Sequence, residues 1–278
     1  MTSINLRPVQ STSSSSSSSS KPIPSPGSLK PWDFSYSPSS DGNDINLLIM
    51  FHGLGDSKTP FFGLAKQLNL PSTAILSLSA PDPIPLMDHP SYSWYPTFTS
   101  TYDPLPIENH NPTVHLDKLR MLITKLCSKE IGWKLNEVHL FGWGQGGTIA
   151  LELGLSIGKS PLQIPSSDGK TQAYKRLGSI ISICAPLLTH PTSSLELETP
   201  ICNFTRYKSN SSIHAKQKAI LNRVFKKVEF VHAPNQGNVE AMPRNKDEWW
   251  GVMKFWGQIL IRKDQGWKGS GEVYEVVQ

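Results

Sequence analysis

The residues best placed to do chemistry lie in the stretch 138–157, VHLFGWGQGGTIALELGLSI. It reads as a short apolar strand, a glycine-rich turn and an apolar helix. That is the local form of a nucleophile elbow, where a Gly-x-Ser-x-Gly turn lifts a serine hydroxyl above a sheet to attack an ester or thioester carbonyl. Here the turn is Gly142-Trp143-Gly144-Gln145-Gly146, and its central position is Gly144. Glycine has no Oγ and forms no acyl-enzyme, so the nucleophile is missing from its place.

The same turn spells G-x-G-x-x-G, the dinucleotide fingerprint, with a strand before it and a helix after it. That reading requires an acidic residue ~20 residues further on, at the end of the next strand, to hold a ribose. The next strand ends Ser182-Ile183-Cys184-Ala185 without a carboxylate, and the motif sits in mid-chain. Dinucleotide binding therefore stays a minor alternative, and no cofactor is expected. Tight-turn and close-packing glycines explain the pattern more simply.

A second glycine motif, His52-Gly53-Leu54-Gly55-Asp56, follows the apolar run 45–51. Cys184, Ser57 and Ser182 are candidate relocated nucleophiles; no histidine partner can be named for Cys184, and serine is too common in this chain to single out Ser57 or Ser182. Cys184 reads better as a small buried hydrophobe. The histidines show no metal-ligand spacing, so no metal is expected.

The elements that must position these motifs alternate. Strands are predicted over 45–51, 74–78, 138–141, 177–184, 200–205 and 228–231. Helices are predicted over 61–68 and 113–130, from Thr148 onward, and over 213–225 and 246–261. Alternation of this kind implies βαβ units with right-handed crossovers, and a mostly parallel sheet covered by helices on both faces. A proline-rich connection over 82–111 contains Trp94 and Tyr95; a loop this long is usually functional or ordered by packing. The segment 158–175 reads as a polar surface loop. Residues 1–44, with the run Ser13 to Ser20, read as a disordered Ser/Pro-rich tail whose Ser25-Pro26 and Ser37-Pro38 pairs could be phosphorylated. The expected division is a 1–44 tail, a 45–261 domain and a 262–278 polar C-terminal tail.

With these motifs in order, the chain resembles the acyl-protein thioesterase/carboxylesterase (lysophospholipase-like) family of the α/β-hydrolase fold. The residues carrying the resemblance are His52 to Asp56, Ser93-Trp94-Tyr95 and Phe141 to Gly147. The resemblance implies an oxyanion hole from the backbone N–H groups of Leu54 and Gln145, with His52, Gly53 and Gly146 in the surrounding turns. It implies either an acyl-pocket wall or a core anchor at Trp94 and Tyr95. It also exposes two further departures. The strand end where the family carries its acid reads Thr205-Arg206-Tyr207-Lys208-Ser209-Asn210, and 233–244, where its histidine is expected, has none; His232 falls several positions early. The resemblance therefore implies a pseudoenzyme that binds an acyl or carboxylate ligand, or a protein partner such as an acylated protein. An active (thio)esterase with a relocated catalytic group is the alternative.

Composition narrows the partners. The formal net charge is +5 with Lys and Arg scattered, so no nucleic-acid partner is expected. No apolar run is long enough for an integral membrane segment. Cys127, Cys184 and Cys202 form no disulfide framework, and the expected setting is the reducing cytoplasm.

Overall fold

The computed structural model describes residues 5–8, 20–165, 171–233, 238–262 and 274–277. In chain order its strands and helices are β1 (Asn5–Pro8), β2 (Phe34–Ser37), β3 (Asn46–Phe51), α1 (Lys58–Leu68), β4 (Thr73–Leu78), β5 (Asp82–Pro83), β6 (Tyr92–Ser93), α2 (Leu116–Leu126), β7 (Val138–Trp143), α3 (Gln145–Lys159), β8 (Leu162–Pro165), β9 (Thr171–Tyr174), β10 (Ser179–Ile183), β11 (Ile201–Thr205), α4 (Ser212–Val224), β12 (Val228–His232), α5 (Lys246–Ile259) and β13 (Tyr274–Val277).

Seven strands make one sheet in the order β12-β11-β10-β7-β3-β4-β2, parallel except for the β2–β4 pair. The central strands are apolar at nearly every position because both faces are covered. Alternate side chains then serve different layers. Leu47, Ile49 and Phe51 join the cluster under α2, α3 and α4, with Leu119, Ile149 and Leu221. Leu48 and Met50 join the other, with Phe61 of α1 and Val252, Phe255 and Trp256 of α5. This is the α/β-hydrolase type of sheet, and it sets the carboxyl end of β7 at the centre of the molecule.

Three expectations change. First, order begins well before residue 45. β2 is the seventh strand of the sheet, and Leu29 and Trp32 are buried in the main core. A few apolar residues among Ser and Pro suffice here because the edge of β4 supplies the hydrogen-bonding partner. Second, 158–175 is not simply a polar loop. β8 and β9 form an antiparallel hairpin, with Leu162 and Ile164 alternating into the core; residues 166–170 lie outside the described residues. Third, α3 starts at Gln145, three residues earlier than expected, since the Thr148 N–H already bonds the Gly144 carbonyl at 3.1 Å. Within the two terminal segments, β1 and β13 pair antiparallel; the serine run lies outside the described residues.

Candidate functional site: the elbow at Gly144

Gly144 keeps the sharp strand-to-helix geometry, with φ +53° and ψ −122°. Its N–H donates to the Ile183 carbonyl at 3.0 Å, tying the turn to the end of β10. A Cβ built on Gly144 meets nothing within 4 Å, so the space a nucleophile side chain would need is open. Its neighbours are the opposite case. A Cβ on Gly146 would lie 2.3 Å from the Phe51 carbonyl oxygen and 2.4 Å from that of His52. One on Gly142 would lie 2.2 Å from the Gly146 oxygen, and one on Gly147 2.6 Å from the Ala185 Cβ. Close approach of α3 to β3, β7 and the end of β10 thus accounts for the glycine spacing that imitates a dinucleotide fingerprint.

The second motif is assembled against this turn. His52 is fully buried; Nδ1–H donates to the Gly53 carbonyl (2.7 Å) and Nε2 accepts from the Ala80 N–H (2.9 Å). Both ring nitrogens are committed, and burial lowers its pKa, so the ring is a neutral brace for the loop. The Gln145 side chain fixes the long loop: its Oε1 accepts from the Trp94 N–H (2.9 Å) and its Nε2 donates to the Tyr95 carbonyl (3.1 Å). Trp94 Nε1 donates to the His52 carbonyl at 2.8 Å. Trp94 and Tyr95 are buried in the main core, behind the His52–Asp56 loop. The structure therefore brings His52, Gly53, Gln145, Gly146, Trp94 and Tyr95 into one network. Gly53 lies against the Trp143 ring and leaves no room for a side chain there. Leu54 is partly exposed, and neither its N–H nor that of Gln145 has a backbone acceptor among the described residues. The Gln145 amide also stands at the positive end of α3.

Sequence reasoning missed Arg206. At the end of β11, its guanidinium is fully buried and spans the loop before α5. Nε donates to the Ala241 carbonyl (2.8 Å) and Nη2 to the Met242 carbonyl (2.9 Å). Nη1 and Nη2 grip the two carboxylate oxygens of Glu248 at 3.1 and 2.5 Å. Glu248 also accepts from the Arg244 N–H at 2.7 Å. These bonds, led by the guanidinium, hold the Glu248 pKa below the ordinary carboxylate range. Trp143 Nε1 donates to the Glu240 carbonyl from the elbow side. The segment 240–242, in the region where the family resemblance expects a histidine, is thus held by its own carbonyls. The sequence signal was an arginine where an acid is expected, followed by Glu248 in the first turn of a helix.

The remaining chemical groups stand elsewhere. Cys184 has φ +50°, its thiol is pushed up to about 12 by burial, and it points at the Ala241 carbonyl. Ser182 is fully buried and bonded to the Ala185 carbonyl. The Ser57 N–H donates to Asp56 Oδ1 at the start of α1. His232 donates through Nε2 to the Tyr207 carbonyl (2.7 Å) on the outer strand. Two imidazole arrays join residues too distant in sequence to signal them. His115 Nε2 meets Asp82 Oδ2 at 2.9 Å at the root of the long loop, with Nδ1 buried and unpartnered. His139, in β7, bonds Ser179 Oγ (2.8 Å) and Asn46 Oδ1 (3.2 Å), all three fully buried. This Ser–His–Asn set lies at the amino ends of β3, β7 and β10, roughly 13 Å down β7 from the elbow, and is structural.

The sheet order and the elbow on its central strand define a hydrolase scaffold. A family model described as phospholipase/carboxylesterase matches residues 38–173. An uncharacterized hydrolase of Mycosarcoma maydis is 33% identical over 252 residues, covering 87% of each chain. One from Schizosaccharomyces pombe is 31% identical over 111 residues, covering 38% of this chain and 44% of that one. Among solved structures, esterase PE8 has a TM-score of 0.60 at 17% identity, covering 82% of this chain and 99% of the other. Acyl-protein thioesterase 2 of Zea mays has a TM-score of 0.56 at 18% identity, with the same coverages. The chain belongs to the phospholipase/carboxylesterase family of α/β-hydrolases.

Proposed function

We propose that this chain is a non-hydrolytic member of its family that binds an acyl or carboxylate-bearing ligand, or a protein partner, at the elbow. The carrying observation is Gly144 in the nucleophile's place, with open space above it and the Gln145 amide next in the chain at the start of α3; the family resemblance supplies Leu54 as the second donor. Such donors can hold a carbonyl or carboxylate oxygen without any attacking group. The likeness to an acyl-protein thioesterase favours an acyl chain or acylated protein as the ligand class. Arg206 standing where the family places its acid supports the same reading, because an acid is what orients and charges the base. The free thiols Cys127, Cys184 and Cys202 support a reducing, cytoplasmic setting.

The test is labelling with a serine-directed fluorophosphonate, together with p-nitrophenyl ester turnover by Gly144→Ser. No labelling is expected, and the new hydroxyl should bring little or no turnover, because His52, the histidine at the elbow among the described residues, has both ring nitrogens committed and cannot activate it. Stoichiometric labelling of one residue, or substantial turnover by the variant, overturns the proposal. The second reading, hydrolysis by a relocated group, draws on the Asp82–His115 pair, a carboxylate–imidazole dyad of the kind that serves a nucleophile. It requires labelling that disappears in His115→Ala.

A further inference from the structure

Against the expectation of scattered Lys and Arg, the charge of this chain is not evenly spread. Residues 199–228 hold seven Lys and Arg and no Asp or Glu, more than the whole net charge of +5, so the rest of the chain is net acidic. Arg206 is spent inside. The other six, Lys208, Lys216, Lys218, Arg223, Lys226 and Lys227, are all exposed. None of the six makes an ion pair among the described residues. They lie on α4 and the turns around it, beside β12, the outer edge of the sheet. The bordering acids are Glu196, Glu198 and Glu229. The first two flank Leu197, whose backbone bonds to Val224 and Lys226, and Glu229 follows Val228 in β12.

We propose that the α4 face is a docking surface for an anionic phospholipid bilayer. Clusters of four to eight Lys and Arg on an amphipathic helix are the feature that the negative surface of such a bilayer attracts. The inward face of α4 is already used, with Leu221 and Val224 buried against the domain. The helix therefore adsorbs by charge and does not insert; at its start, Ile213 adds one exposed aliphatic side chain, 56% accessible. Single-stranded nucleic acid needs free aromatic faces on which bases stack. The aromatic rings beside these cations among the described residues are Phe230, half-buried and covered by the Lys218 ammonium at 5.4 Å, and Tyr207, also half-buried, so neither offers a free face. Lys208 lies just beyond the carboxyl end of β11, and the elbow lies at the carboxyl end of β7, parallel to it with β10 between, so docking brings the bilayer to the elbow's end of the sheet.

The experiment sediments the full-length chain with vesicles of phosphatidylcholine alone or of equal parts phosphatidylcholine and phosphatidylserine. Binding is expected only with phosphatidylserine and is released by salt. The variant Lys208→Glu/Lys216→Glu/Lys218→Glu should bind at least about a hundredfold more weakly. Lys66→Glu/Lys118→Glu/Lys254→Glu, with the same change of net charge on other helices, should bind like the parent. The neutral Lys208→Gln/Lys216→Gln/Lys218→Gln variant, compared at equal circular dichroism, should fall between the first variant and the parent. Failure of the parent to bind phosphatidylserine vesicles at low salt overturns the proposal. Equal losses in the two glutamate variants overturn it too, as does tighter binding to polyglutamate or single-stranded DNA than to the vesicles.

Discussion

At the scale of single residues, two positions carry most of the meaning, and they differ in how readily they can be read. Gly144 is legible at once, because the elbow is a local pattern and the missing hydroxyl is a missing letter. Arg206 is not, because its partners Ala241 and Glu248 lie 35 and 42 residues further on and only the fold unites them. A buried charge is tolerated only when it is paired and its donors are satisfied. Arg206→Met should therefore cost about 3–5 kcal/mol in urea unfolding, since it leaves the Glu248 carboxylate buried without its cation. Arg206→Met/Glu248→Leu should recover part of that loss. A single variant within about 0.5 kcal/mol of the parent, the range of an ordinary surface substitution, would show that the pair contributes nothing.

At the scale of elements, each of the six main strands and five helices was visible as a hydrophobic pattern, because a parallel sheet buried on both faces writes continuous apolar runs. The elements that escaped are those whose support is not local. β2 is only half-buried, and its hydrogen bonds are supplied by β4. Among serines and prolines such a strand has no signature of its own. Trp32 marks how firmly this segment is attached: it is 5% exposed, and its ring centroid lies 6.2 Å from that of Trp94. Trp32→Ala should destabilise by about 3–5 kcal/mol, the usual range for emptying a large aromatic site. A loss below about 1 kcal/mol in chemical denaturation would return residues 20–44 to the status of a loosely held tail. Because Trp94 also holds the His52 carbonyl, this N-terminal segment is packed onto the support of the His52–Asp56 loop.

At the scale of the whole molecule, stability should follow acidity in two overlapping windows, the imidazole's opening at the higher pH. His139 is held neutral, with burial pushing its pKa down to about 3, whereas an imidazole in the unfolded chain titrates near 6.5. Between those values the unfolded chain binds a proton that the folded chain refuses. The stabilisation is complete above about pH 6.5 and drains away as pH falls toward about 3, by several kcal/mol in all. Glu248, its pKa lowered, contributes fully above about pH 4.3 and loses its share only below that. The urea midpoint should therefore already fall between pH 7 and pH 5, and His139→Gln should flatten that fall. An equal fall in both proteins would mean that the imidazole is not responsible. The Arg206 clasp also bears on redesign. Under the proposed non-hydrolytic reading, a hydrolase built on this scaffold would need a hydroxyl at 144, a carboxylate and a histidine to orient. An acid placed at 206 would meet the Glu248 carboxylate in place of its cation and free the Ala241 and Met242 carbonyls. The clasp therefore makes position 206 a costly place to install charge of the opposite sign, so the three changes would have to be made together with a neutral residue at 248.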